Sequence, residues 1–288
     1  MAFETEFDNF GHPTDVISDA LAPALVDAVV VAPLVYTESA PLETNVKLFR
    51  KAGSLTAQDV AESGTHTYAA GDEYTETEIT ATLAKSVVYM KITAEAERFH
   101  ANALSKTVAE AGRALARRLD DKVLALFSGF STQNSDRTGT TLDVETLMEA
   151  AYSVYAGNAG FGRQLVGVLD FKGALEVKKD INSSASAIYS QPERSNILNG
   201  SFAQPNGFIG SLPAIDLYAT TGLPTSGAND VSLVFNPDIA IAGMVDPAVT
   251  VWENTVTADG MFKEYAAYLF NTFVEWNDAA GVGVLSAT

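Results

Sequence analysis

An α+β fold is predicted by three observations. Residues 46–92 carry β-rich stretches on either side of a glycine-punctuated polar middle, which reads as a long hairpin. Residues 94–128 repeat apolar side chains at three- and four-residue steps, which reads as one long amphipathic helix. From residue 141 onward, two shorter helical stretches give way to short strands, ending in an aromatic-rich segment over Met261–Val284.

Residues 1–45 read as an arm. Pro13, Pro23, Pro33 and Pro41 interrupt it, so the apolar stretch Val16–Ala32 is expected to hold no long helix. Such an arm cannot bury itself and needs the rest of the subunit or a neighbour. In the hairpin, Val46–Phe49 alternates weakly, Gly53, Gly64 and Gly71 punctuate the middle, and Glu78–Leu83 and Val87–Ile92 form the return. Few large apolar side chains lie in Ser54–Glu78, and a hairpin so supplied is marginal in isolation. It is expected to lie on another molecule.

In the long helix, Leu104, Val108, Ala111, Leu115, Leu119, Val123 and Leu126 form the apolar stripe, and Lys106, Glu110, Arg113 and Arg117 the opposing one. Thr93 is the expected N-cap, with Glu95 and Glu97 in the first turn and Gly129 at the end. At 1.5 Å per residue the helix would span about 50 Å, long enough to serve as a spine. Leu142–Tyr155 is predicted as a second helix, opened by Thr141 with Asp143 and Glu145 in its first turn. Gln164–Leu169 reads as a buried strand, Phe171–Lys179 as a short helix and Asn182–Asn206 as an exposed loop. Short strands are predicted at Phe208–Ile209, Ala214–Ala219, Ser232–Phe235, Ile239–Ala242 and Val249–Trp252, and the final strands are expected to return to the spine.

Composition removes several function classes. With 288 residues and 47% hydrophobic content, the chain can bury a core without a metal or a disulfide. It has no cysteine, which excludes disulfide frameworks, thiolate metal sites and cysteine nucleophiles. Met1–Asp8 is acidic and lacks the basic start of a secretory leader. The apolar run Ala28–Tyr36 is far short of the ~20 residues of a membrane span, so no membrane partner is expected. The net charge is -18 and unevenly spread. Residues 1–44 hold eight acids and no Lys or Arg, and residues 195–288 hold nine acids against Lys263 alone. Thr93–Ser128 is an exception to these acidic ends, with six bases and five acids. A surface this acidic repels phosphate backbones at long range, so tight DNA binding is not expected. It serves solubility, and it also suits the wall of a container that must not trap nucleic acid.

The chain offers no set of residues for catalysis. His12, His66 and His100 are isolated from one another and form no HxH or HxxxH pair, so no zinc or iron site is read. The glycine-rich run Gly157–Gly162 precedes a strand instead of following one, which makes it a turn and not a dinucleotide loop. Gly129-Phe130-Ser131 starts like a nucleophile elbow, but Gln133 stands where the second glycine belongs. Asp120-Asp121 and the acids of Asp72–Glu78 lack the spacing of a calcium loop and read as solvated surface. The helix bases read as salt-bridge partners for a neighbouring acidic arm. No catalytic, cofactor-binding or metal-ligating residue is assigned, no cofactor is expected, and the protein is not expected to be an enzyme.

The order of arm, hairpin, long helix, mixed α/β region and returning strands resembles the Hong Kong 97-type major capsid protein of tailed bacteriophages, from about Thr14 onward. Val46–Ala57 followed by Val60–Gly64 looks like the approach to that family's extended loop, and Thr75–Thr93 like its return strand. Ala114–Val123 is similar to the end of the spine helix, and Thr141–Leu147 to the helix that opens the axial domain. Gly207–Pro213 with Leu223-Pro224 resembles a recurrent turn of that domain, although Pro213 stands where many relatives have glycine.

The resemblance implies an N-terminal arm at 1–45 and an extended loop at 46–92. It places the spine helix and the first stretch of a peripheral domain at 93–140, an axial domain at 141–252, and the second stretch of the peripheral domain at 253–288. It implies pentamers and hexamers of this chain in an icosahedral head around double-stranded DNA. It also implies a virion location after assembly in the bacterial host cytoplasm, with a portal and room for a decoration protein. DNA would be touched only weakly and non-specifically. Only about 45 residues precede the extended loop, which favours a separate scaffolding protein. No lysine lies between Lys51 and Lys85, so the loop tip cannot donate one to the isopeptide bond some relatives form. An encapsulin-type nanocompartment shell protein is the alternative. A hydrolase would need converging acids, which are not found, and a fibre or adhesin module is at odds with the mid-chain helix.

Overall fold

The computed structural model describes residues 13–40, 44–52, 76–93, 103–134, 141–157, 164–182, 207–246, 248–254 and 262–287. Helix α1 spans Pro13–Ala28 with Pro23 inside it. The prolines therefore do not limit the arm to a short helix. Pro23 is exposed, while Ile17 and Leu21 are buried on the opposite side. That burial offsets the backbone hydrogen bond a proline cannot donate. A 3-10 turn at Ala32–Leu34, with Pro33 in its first positions, leads to strand β1, Tyr36–Ser39.

Strands β2 (Val46–Ala52) and β3 (Glu76–Thr82) pair antiparallel from Val46↔Thr82 to Ala52↔Glu76. The return run does not stay on this ladder. At Leu83, whose N–H donates to the Asn45 carbonyl at 2.8 Å, the chain crosses to a second sheet as β4, Ala84–Thr93. Thr93 thus ends a strand and is not the N-cap that the helical spacing predicts. Helix α2 covers Ala103–Leu124, and a 3-10 turn follows at Phe127–Gly129. Its 22 residues span about 33 Å. The predicted first turn, Glu95 and Glu97, lies outside the described residues. Val108, Ala111, Leu115, Leu119 and Val123 are buried, and Lys106, Glu110, Arg113 and Arg117 are exposed, as the stripe requires.

After the short strand β5 (Gln133–Asn134), helix α3 runs Val144–Ala156. Its N-cap is Asp143, whose carboxylate accepts from the Thr146 N–H at 2.9 Å, and not Thr141. Strand β6 (Leu165–Asp170), helix α4 (Phe171–Asn182), β7 (Phe208–Leu212) and β8 (Ile215–Thr220) follow. Then come β9 (Thr225–Ser226), β10 (Asn229–Phe235), β11 (Ile241–Val245), β12 (Thr250–Asn254), β13 (Phe262–Glu275) and β14 (Gly281–Ala287). The predicted loop over 183–206 lies outside the described residues.

Two sheets organise the body. The larger has the order β5-β14-β10-β6-β8-β7, with β9 on β10. The buried run of β6 (Leu165–Leu169) pairs parallel with β8, as expected of a strand covered on both faces. The second sheet joins β1, β11, β13 and β12, with β4 on β13. Sheet membership therefore interleaves along the chain. β13 returns to the spine as predicted, whereas β14 leaves it to pair with β10 along its whole length. One continuous core, from Ile17 and Leu21 through α2 to Leu285, holds the two sheets and the helices together.

The β7–β8 hairpin turns through Pro213-Ala214. Ala214 takes a left-handed φ of 80°. Proline pre-sets the first turn position, and the second then needs positive φ. The local geometry put in question by Pro213 is thus met, with the strain carried by an alanine.

Candidate assembly surfaces

Three places in the structure bear on assembly. The first is the base of the β2–β3 hairpin. On one face of the ladder, Phe49 and Ala81 are buried with Ala242 and Met244, and Leu83, Val274 and Trp276 pack around them as a cluster separate from the main core. The Trp276 ring lies 6.1 Å from that of Phe49 and 5.6 Å from that of Tyr36. Lys51 donates to the Asn277 side chain at 2.5 Å. On the other face, Val46 and Leu48 are 40% and 44% exposed. Arg50 sits between Glu76 and Glu78 across the ladder, at 3.5 and 3.2 Å. These exposed ion pairs set register more than stability. The hairpin therefore has a fixed root and an apolar flank with nothing on it among the described residues.

Beside this root sits a carboxylate pair. Asp278 accepts from the Ser131 N–H at 2.6 Å and from its hydroxyl. Burial alone would raise the Asp278 pKa, but the Ser131 bonds hold it below the usual carboxylate range. Glu275 is pushed up, first by burial and then by the Asp278 charge. The Gly129-Phe130-Ser131 run is therefore a tethered post-helix turn.

The second surface is the seat of the arm. Asp120 is buried on α2. Its Oδ1 accepts the N–H groups of Val31 and Ala32, and its Oδ2 that of Val30, all at 2.9 Å. Burial raises its pKa, and the three N–H bonds oppose the rise. Asp120 is thus no solvated partner of Asp121; only Asp121 is exposed. The arm turn is latched by an acid of α2. Among the described residues Arg113 pairs with Glu110 of its own helix, and Lys122 reaches Asn271. The periodicity held a signal for this site: Gly112, Ala116 and Asp120 recur at four-residue steps and are all buried. A Cβ on Gly112 would sit 2.8 Å from Ala24 Cβ, so α1 and α2 touch closely there.

The third is the outer face of the β4–β13–β12 sheet. The inner face, with Tyr265, Ala267 and Leu269, joins the core under α2. The outer face carries Tyr89 and Trp252, both largely exposed.

His12, His66 and His100 lie outside the described residues. Gly157 caps the end of α3. Among the described residues no cluster of three or more His, Asp or Glu could hold a metal ion, and no helix is long and apolar enough to cross a membrane.

No family model and no curated protein matches the sequence. Solved structures do match over almost the whole chain. A chain of Mycobacterium phage Che8 superposes with a TM-score of 0.66 at 18% identity, covering 89% of this chain and 90% of that one. The capsid of Ralstonia phage GP4 gives 0.65 at 11% identity, covering 88% and 87%. The chain has the Hong Kong 97-type capsid fold. The fold is not confined to phage heads: the holo encapsulin complex of Synechococcus elongatus gives 0.58 at 8% identity, covering 88% and 86%.

Proposed function

We propose that this protein is a major capsid protein. In this reading it assembles as pentamers and hexamers into an icosahedral head enclosing double-stranded DNA. Its role is structural and not catalytic. The observation that carries the reading is the hairpin: a ladder rooted by Phe49 and Trp276 that exposes Val46 and Leu48 to nothing among the described residues. Apolar flank of this kind gains burial only when a neighbouring copy covers it. The division into arm (1–45), extended loop (46–92), spine and peripheral domain (93–140 and 253–288) and axial domain (141–252) belongs to this proposal, with strands exchanged between the sheets. The β2–β3 hairpin then stands at the extended loop, α2 at the spine and β13 beside it.

A separate scaffolding protein and a portal act during assembly in the host cytoplasm, and the mature shell resides in the virion. A decoration protein has room on the outside. The acidic chain, at -18, touches packaged DNA weakly and without sequence preference. The second reading, a nanocompartment shell, is favoured by the match to the holo encapsulin complex.

Electron microscopy of purified assemblies, with extraction of nuclease-protected nucleic acid, tests both readings. Round shells holding double-stranded DNA are expected. Shells holding a protein cargo instead of DNA would favour the second reading, and stable monomers would overturn both.

A further inference from the structure

Three elements meet where β13 ends: the turn after α2, the 3-10 turn Asp278–Ala280 and strand β2 of the hairpin. Glu275 lies against the turn after α2, where a Cβ on Gly129 would be 3.0 Å from its Oε2. Asp278 takes the Ser131 N–H on one oxygen, at 2.6 Å, and the Ser131 hydroxyl on the other. Trp276 packs in the hairpin cluster with Phe49. Lys51 of β2 donates to the Asn277 side chain at 2.5 Å. Residues 275–278 therefore hold the end of the spine on one side and the hairpin root on the other.

Within this segment Glu275 and Asp278 share a hydrogen bond. Two carboxylates only accept, so the bond requires one proton. Burial works against an ionised Asp278, but the two Ser131 bonds and the nearby Lys51 charge favour it. The proton therefore belongs to Glu275. Among the described residues the other charges around the pair are accounted for. Ile241 stands opposite Glu275 on β11, and Asp238 lies in the turn before that strand. Lys47 pairs with Glu38, and Arg50 with Glu76 and Glu78 on the far face of the ladder. The root also carries a polar group left unmatched: the Trp276 indole Nε1 is enclosed with no acceptor among the described residues. A buried donor without a partner is costly, so the closed root has little in reserve once the carboxyl bond is lost.

We propose that the proton shared by Glu275 and Asp278 locks the hairpin root to the end of the spine, and that its loss frees the root to move. With the proton in place, Glu275 donates to Asp278 and the segment stays on both Ser131 and Lys51. Without it, two anions face each other at a half-buried site and the bond is gone. Burial, and then the Asp278 charge, raise Glu275 above its ordinary 4.5. The folded chain thus keeps this proton above pH 4.5, and the lock opens as the pH rises through the folded value. Asp278 is held below its ordinary 3.8 and stays ionised over the same range. The hairpin is thereby fixed in mild acid and freer above it, whatever the assembly encloses.

The test uses the full-length chain with Trp252→Phe, which leaves Trp276 as the one tryptophan. Acrylamide is uncharged, so its Stern–Volmer slope follows the exposure of Trp276 and not the local potential. From pH 4.5 to about 8 the slope should rise along a one-proton curve. Glu275→Gln keeps a donor for Asp278 and cannot ionise, so its slope should stay low and flat. Asp278→Asn removes the charge facing Glu275, so the rise should move to lower pH. A flat profile in the parent chain, or a rise that persists in Glu275→Gln, would overturn the proposal. Should Glu275→Gln fail to fold, the Asp278→Asn profile decides: an unmoved midpoint would overturn the pairing.

Discussion

Replacing Asp120 by alanine removes the acceptor of three backbone N–H groups at the point where the arm leaves α1. Val31 and Ala32 are buried and Val30 is half-buried, so two of the three donors have no water to turn to. A buried N–H left without a partner costs roughly 1–3 kcal/mol, and hydrogen bonds to a charged acceptor fall in the same range or above it. Two orphaned donors, partly offset by relief of the desolvated carboxylate, give a loss of about 3 kcal/mol for Asp120→Ala. At roughly 2 °C per kcal/mol for a chain of this length, the melting midpoint should fall by about 6 °C. Asp120→Asn keeps an oxygen for Val31 and Ala32 but turns an amide donor towards the Val30 N–H. It should cost only about 1 kcal/mol.

The arm has no Lys or Arg, so trypsin cannot report its release; a Glu-specific protease acting at Glu38 can. Cleavage should rise in the order wild type, Asp120→Asn, Asp120→Ala. The pH dependence has a definite sign. Burial raises the Asp120 pKa above its ordinary 3.8, so between that value and its folded pKa the native state holds more protons than the unfolded one. The contribution of Asp120 to stability therefore falls as pH rises through that window and is flat below it. The advantage of wild type over Asp120→Asn should narrow as the pH is raised from about 4. Unchanged melting and cleavage for Asp120→Ala would refute the latch; a gap that widens with pH would show instead that the three N–H bonds outweigh the effect of burial on Asp120.

Phe49→Ala should cost about 3 kcal/mol at the hairpin root, where Phe49 is buried in a small cluster. Far-UV circular dichroism should stay near wild type while microscopy shows loss of assembled shells; normal shells would count against the root cluster. Ala214→Gly should raise the melting midpoint, because it relieves a left-handed alanine worth about 1 kcal/mol. A lower midpoint would show that the turn is not strained. Boiled particles on denaturing electrophoresis should run as monomer, since no lysine lies between Lys51 and Lys85. A ladder of higher bands would contradict a non-covalent lattice.

What could be read from the sequence follows the range over which each signal acts. The stripe of α2 was legible because helical periodicity is local, and the buried residues fall where it put them. Its beginning was not, because Thr93 is as plausible a cap as a strand residue until the partner strand is known. The break at Leu83 was hidden for the same reason. Neither glycine nor proline marks it; β4 leaves β3 because β13, some 180 residues later, offers it a ten-residue ladder. Pro23 misled because propensity reports the helix alone, whereas Ile17 and Leu21 bury it against α2. Asp120 was legible in principle from its register with Gly112 and Ala116. Reading it required treating an acid on the buried side of a helix as a site instead of as surface.

The same reasoning explains how the fold persists at 8–18% identity while no family model matches. The main core asks only for apolar side chains at helical or alternating spacing, which many sequences satisfy. Residue identity is demanded at fewer places: an acceptor under the arm turn, small residues where α1 meets α2, rings at the hairpin root. None of these performs chemistry. Each fixes the angle or attachment of the arm or the hairpin. A lone folded unit has little use for such fixtures, because an exposed flank like that of Val46 and Leu48 gives it no stability. For copies that must meet repeatedly in one geometry, the rooted hairpin and the latched arm present the same apolar surfaces at the same angle every time.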